Sequence, residues 1–130
     1  MRLMYVAGPY RDESWGEVKR NVARAADVSA ELLRYGFAVI CPHTMTHTFE
    51  MYQLPDEAFL ACGLEQVRRC DGMVLVDGGK REWWESSGTR SEVALAMERG
   101  LPVYPSAYFA FNGIGISYEA LQDYLKRGAK

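Results

Sequence analysis

The sequence predicts an α/β three-layer sandwich built on a mostly parallel central sheet of four or five strands. Three observations carry that prediction. Short apolar runs of strand length recur at residues 3–7, 37–41, 73–76 and 101–104. The segments between them hold apolar residues at spacings of three and four, the period of a helix. Strands that alternate with helices imply right-handed crossovers and a parallel sheet covered on both faces.

The elements follow in order. Leu3-Met4-Tyr5-Val6-Ala7 is a first strand emptied into a turn by Gly8-Pro9. Val18, Val22, Ala25, Ala26, Ser29, Leu32 and Leu33 then form the inner face of a helix of about 17 residues, ended by Gly36. Phe37 to Cys41 is a second strand, stopped by Pro42. Residues 43–54 carry little periodicity and read as a long loop. Pro55 suits the start of a helix, whose inward residues Phe59, Cys62, Leu64, Val67 and Cys70 run to Asp71-Gly72. Met73 to Val76 is the third strand, residues 77–88 a second long loop, and Thr89 to Arg99 the third helix. Leu101 to Tyr104 enters a fourth strand. Residues 105–115 read as loop, and Ser117 to Glu119 as the cap of a last helix carrying Leu121, Tyr124 and Leu125. The order is Rossmann-like. Growth of such a sheet to both sides of its first strand would gather the loops at 8–16, 42–54 and 77–88 in one crevice.

At 130 residues the chain has the size of one domain, long enough to bury roughly two thirds of its unfolded surface. A single domain over residues 1–130 is therefore expected. A formal charge of -2, from 15 basic and 17 acidic side chains, gives no overall positive field. Nucleic-acid polymers and anionic membranes are accordingly not expected partners. No leader pattern precedes the first strand, and no apolar run approaches the length of a bilayer span, so a cytoplasmic protein is expected. Cys41, Cys62 and Cys70 lack the paired spacing of a structural zinc site and read as reduced thiols.

Chemistry is expected at the strand ends. The first loop has the position of a phosphate-cradling turn without the GxGxxG or P-loop pattern. Gly8 would let a ligand approach the backbone and Tyr10 would lie against a sugar or base; alternatively the two make a tight turn with a surface aromatic. His43 and His47 in the second loop are candidates for contact with a base or phosphate, or plain loop-packing residues. They lack HExxH spacing and a third ligand, so neither a metal nor another cofactor is expected. Asp77 ends the third strand and is either a pocket residue or a turn-stabilising one. Trp83 and Trp84 suit a lid, a base-stacking surface, a subunit contact or the core.

The densest pattern is Glu85-Ser86-Ser87-Gly88-Thr89-Arg90-Ser91-Glu92, where a loop becomes a helix. Ser86, Ser87, Gly88 and the unpaired amides of a helix start suit a small anion, although Ser86 equally suits a simple cap. Glu92, six residues after Ser86, would stand beside the same pocket. A carboxylate there can attack a sugar carbon or stabilise positive charge on it, or instead make a surface ion pair.

Three stretches carry a resemblance: Tyr5-Val6-Ala7-Gly8-Pro9; Cys70 through Val76; and Ser86-x-Gly88-x-x-x-Glu92 with Ala94-x-Ala96 and Gly100-x-Pro102-Val103. On them the chain resembles the nucleoside 2-deoxyribosyltransferase-like superfamily, which also contains nucleoside 5′-monophosphate N-glycosidases. The resemblance implies that Glu92 acts at the anomeric carbon and that Ser86, where nucleoside transferases tend to carry aspartate, helps bind a 5′-phosphate. Relatives often carry an aspartate eight residues before the Asp71 position, and this chain has Gly63 there. Asp56, Glu57 and Glu65 are acids nearby in sequence that offer themselves in its place.

The expected activity is hydrolysis of the N-glycosidic bond of a (deoxy)nucleoside 5′-monophosphate. Glu92 would be catalytic, and Gly8, Tyr10, His43, Asp77, Ser86, Ser87 and Gly88 would bind substrate. The alternatives are a nucleoside 2-deoxyribosyltransferase, a nucleotide-binding protein without turnover, and an oligomeric structural protein. The resemblance also implies a homodimer or higher homo-oligomer with shared pockets, to which Asn112 or Ser117, beside Phe109 and Phe111, would contribute.

Overall fold

The computed structural model describes residues 1–106. Four parallel strands form one sheet in the order β2-β1-β3-β4, with β1 Leu3–Ala7, β2 Ala38–Ile40, β3 Gly72–Leu75 and β4 Val103–Pro105. Four helices accompany them: α1 Trp15–Arg34, α2 Pro42–Thr46, α3 Asp56–Arg69 and α4 Ser87–Glu98. This is the Rossmann-like α/β sandwich that the strand–helix alternation predicts. Residues 107–130, with Phe109, Phe111, Asn112, Ser117 and the expected last helix, lie outside the described residues.

The register pairs Tyr5 with Ile40 on one side and with Met73 on the other. β1 and β3 are apolar on both faces because each face meets a layer. Tyr5, Ala7, Met73 and Leu75 pack with Val67 of α3 and Val93 and Ala96 of α4. Met4, Val6, Val74 and Val76 pack with Ala25 and Leu32 of α1. The pleat of a strand sends successive side chains to opposite faces, so each central strand serves two cores at once.

Helix boundaries follow local chemistry. α1 starts earlier than its apolar periodicity, because Ser14 caps it by accepting from the Glu17 amide at 3.3 Å. The segment expected as a loop after β2 is α2 followed by a 3-10 turn over His47–Tyr52. A helix of five residues is too short to show a period, and only Pro42 in its first turn marks it. Trp83 is buried in the α3/α4 core and meets the half-buried Trp84 edge-on at 5.8 Å.

Among the described residues no helix is long and apolar enough to cross a membrane. Cys41 and Cys70 are buried and Cys62 is exposed, all three as free thiols.

Candidate active site

β2 and β3 lie on opposite sides of β1, so the loops after β1 and β3 diverge and leave a crevice at the carboxyl ends of the strands. A cavity of about 600 Å³ occupies it, with walls from residues 5–11, 42–66 and 81–92. That volume lies in the range of small-molecule sites.

Gly8 sits where β1 ends against β3. A Cβ there would stand 3.0 Å from Cβ of Val76, so the absent side chain lets the two strand ends close up beneath the cavity.

Tyr5 and Glu92 meet in the cavity wall. Tyr5 points from β1 toward α3 and α4, and its hydroxyl donates to Oε2 of Glu92. Burial lifts the Glu92 carboxyl to about 7, against the opposing pull of the Tyr5 hydrogen bond. Burial first, then the charge of Glu92, pushes the Tyr5 phenol far above its ordinary range, so it stays a donor. α3 supplies the third member: a Cβ on Gly63 would lie 2.8 Å from both Glu92 Oε2 and the Tyr5 hydroxyl. With glycine there the pair closes against α3, and any side chain at this position would have to push the Glu92 carboxylate or the Tyr5 hydroxyl aside.

Ser86 is the N-cap of α4, accepting from the Thr89 amide at 3.3 Å and from the Thr89 hydroxyl at 3.0 Å. Ser87 is exposed beside it, and both serines line the cavity with Gly88. The amides of Ser87 and Gly88, in the first turn, have no acceptor within the helix.

Tyr10 lines the cavity, its hydroxyl 2.9 Å from Nδ1 of His47, which in turn stacks on Trp15 at 5.5 Å. Burial and Glu50 push the Tyr10 phenol up to about 12. Asn21 of α1 holds the Tyr10 carbonyl at 3.0 Å. His43 also lines the cavity but is buried, and Nε2 donates to the Pro9 carbonyl at 3.0 Å. Burial lowers its pKa, so the ring is neutral and its proton is committed to shaping the first loop.

Asp77 is not among the cavity-lining residues. Its amide accepts no ligand role either, since it donates to Oγ of Ser106 at 2.8 Å. The chain then turns at Gly78, with φ 89°, toward α1. There Lys80 and Arg81 approach Asp12 at 3.4 and 3.5 Å.

The remaining wall is rich in carboxylates. Glu50, Asp56, Glu57 and Glu85 face two guanidiniums, Arg11 and Arg81. Arg11 is engaged with Asp56 at 2.7 Å and Glu50 at 3.6 Å. Glu65 is not part of the wall. Among the described residues no three His, Cys, Asp or Glu side chains are grouped to hold a metal ion.

Residues 2–105 match the family described as Domain of unknown function (DUF7768). The chain belongs to this family. The matched span of the DUF7768 domain contains the four described strands and, among the described residues, those that line the cavity. No curated protein matches the chain.

Sequence reasoning singled out Glu92 and the serines but missed Tyr5 as the hydrogen-bond partner of Glu92. Its signal was a phenol in an otherwise aliphatic strand, since a buried tyrosine hydroxyl normally needs a partner. It also missed the role of Gly63 in admitting the pair.

Proposed function

We propose that this domain hydrolyses the N-glycosidic bond of a nucleoside 5′-monophosphate, releasing a free base and a sugar 5-phosphate. The observation that carries this reading is the Tyr5–Glu92 pair in the wall of a nucleotide-sized cavity. A half-buried carboxylate, steered by one hydrogen bond, suits attack on C1′ or stabilisation of an oxocarbenium ion there. The Ser87 hydroxyl and the first amides of α4 suit the 5′-phosphate, since they bring donors without negative charge. The resemblance to nucleoside 5′-monophosphate N-glycosidases supports the same assignment.

The carboxylate-rich wall favours one second reading. A phosphate dianion is repelled by such a wall, whereas an unphosphorylated nucleoside is not, so deoxyribosyl transfer between bases is the rival activity. One experiment decides. Purified protein is incubated with ribo- and deoxynucleosides and their 5′-monophosphates, with and without a second free base, and the bases are separated by chromatography. Base release from the monophosphates, lost in Glu92→Gln, is the expected result. Base exchange on nucleosides would select transfer, and neither reaction would refute both.

A further inference from the structure

We infer that Gln66 selects the base, and that the base it selects carries an exocyclic amino group, as adenine and cytosine do. The inference rests on the N-glycosidase reading and names the substrate class of that same site. Gln66 lines the cavity from α3. It stands three residues after Gly63, and residues at that spacing share one face of a helix, about 5–6 Å apart. Gly63 abuts Glu92. Gln66 therefore stands one helical turn from the reacting carboxylate, on the scale that separates C1′ from the hydrogen-bonding edge of a base. Its amide is poorly used within the protein. Oε1 is enclosed and accepts no hydrogen bond among the described residues. Nε2 meets the Met45 thioether at 3.9 Å, and a thioether is a weak acceptor.

Folded proteins leave few enclosed polar atoms unpaired, and each one they leave calls for an explanation. A base supplies it here. Met45 is itself exposed, so a ligand can push the thioether aside and take both ends of the amide. An N–H of the base then donates to Oε1 while Nε2 donates to a ring nitrogen, the two-point contact by which glutamine reads adenine. A second unpaired atom fixes the polarity. His43 lines the same cavity, and with Nε2 donating to the Pro9 carbonyl its Nδ1 is an acceptor, buried and without a partner among the described residues. The wall thus offers two acceptors that lack donors. An amino group brings two N–H bonds to them, whereas the carbonyl that replaces it in hypoxanthine or uracil brings none and adds another acceptor.

The test measures base release from adenosine and inosine 5′-monophosphates and from cytidine and uridine 5′-monophosphates, in ribose and deoxyribose forms, each rate divided by its rate in buffer alone. Within the faster of the two pairs, the amino base is expected to show an enhancement at least about tenfold larger than its oxo partner. Gln66→Leu should bring the two to within about twofold, while circular dichroism shows an unchanged fold and the pH midpoint of turnover stays in place. Titration calorimetry on the Glu92→Gln protein, with and without Gln66→Leu, should show the same preference and the same loss of it in Kd. An oxo base cleaved as well as its amino partner, or a preference that outlives Gln66→Leu in rate or in Kd, overturns the inference and leaves the glycosidase reading standing. Base release from no nucleotide overturns both.

Discussion

The hydroxyl of Tyr5 on β1 donates to the carboxylate of Glu92 on α4, joining residues 87 positions apart in the wall of the strand-end cavity. Because burial and this bond pull the Glu92 pKa in opposite directions, the pair makes a signed prediction. If ionised Glu92 is the reacting form, kcat/KM rises with pH through about 7 and levels above it. Tyr5→Phe removes the one contribution that lowers the pKa and leaves burial unopposed. The midpoint of its pH profile should therefore move to higher pH. A midpoint that stays in place would show that the phenol does not govern the carboxylate.

The same pair bears on stability. Glu92 titrates at about 7 in the folded protein against 4.5 for a free glutamate. The folded state therefore binds this proton more tightly, and stability falls as pH rises between those values. At about 1.4 kcal/mol per unit, ionising this half-buried group costs on the order of 3 kcal/mol. Glu92→Gln should unfold at higher denaturant than the parent at about pH 8 and no differently at about pH 4, where both side chains are neutral. A parent more stable than the variant at alkaline pH would contradict the burial argument.

Gly63→Ala opposes two effects. Replacing a helical glycine with alanine gains about 1 kcal/mol of helix propensity. The new Cβ, 2.8 Å from Oε2 of Glu92 and from the Tyr5 hydroxyl, must displace one of them, at about 1–3 kcal/mol. Thermal stability should change little, whereas base release should drop by about tenfold or more as the pair is pushed apart. Calorimetry beside a turnover assay reads the two separately.

Ser86 and Ser87 should separate in the same way. Ser86 holds the first turn of α4 and the buried Thr89 hydroxyl. Ser86→Ala should therefore cost about 1 kcal/mol of stability. Ser87 is exposed, and only its backbone carbonyl is used, by Ser91. Ser87→Ala should leave the unfolding midpoint in place and weaken binding of nucleoside monophosphates more than of nucleosides, measured by titration calorimetry. Equal weakening of both ligands would remove Ser87 from the phosphate site.

Strand positions and the long helices were legible because each is announced by several residues in succession: the apolar runs of β1 and β3, and the repeat from Val18 to Leu33 in α1. The short α2 was not, since one proline is its only mark. Local chemistry also left choices that only packing resolves. Ser86 suited a cap or an anion; it caps α4 and also lines the cavity. His43 suited a ligand contact or loop packing; it lines the cavity and holds the first loop through the Pro9 carbonyl. Asp77 suited the pocket or a turn; it lies outside the cavity lining, its amide bound to Ser106. The meeting of Tyr5, Gly63 and Glu92 was invisible because it joins β1, α3 and α4, and no local pattern encodes such a convergence.

The alternation of β1 between two cores ties the proposed chemistry to strand alignment. A slide of β1 by one residue against β3 would turn Tyr5 toward α1 and offer Met4 or Val6 to α4. A slide by two would restore the face but carry the phenol about 7 Å along the strand, beyond reach of Glu92. Compact chains with misaligned strands would thus be inert, and turnover counts only those molecules whose central strands have found their proper partners.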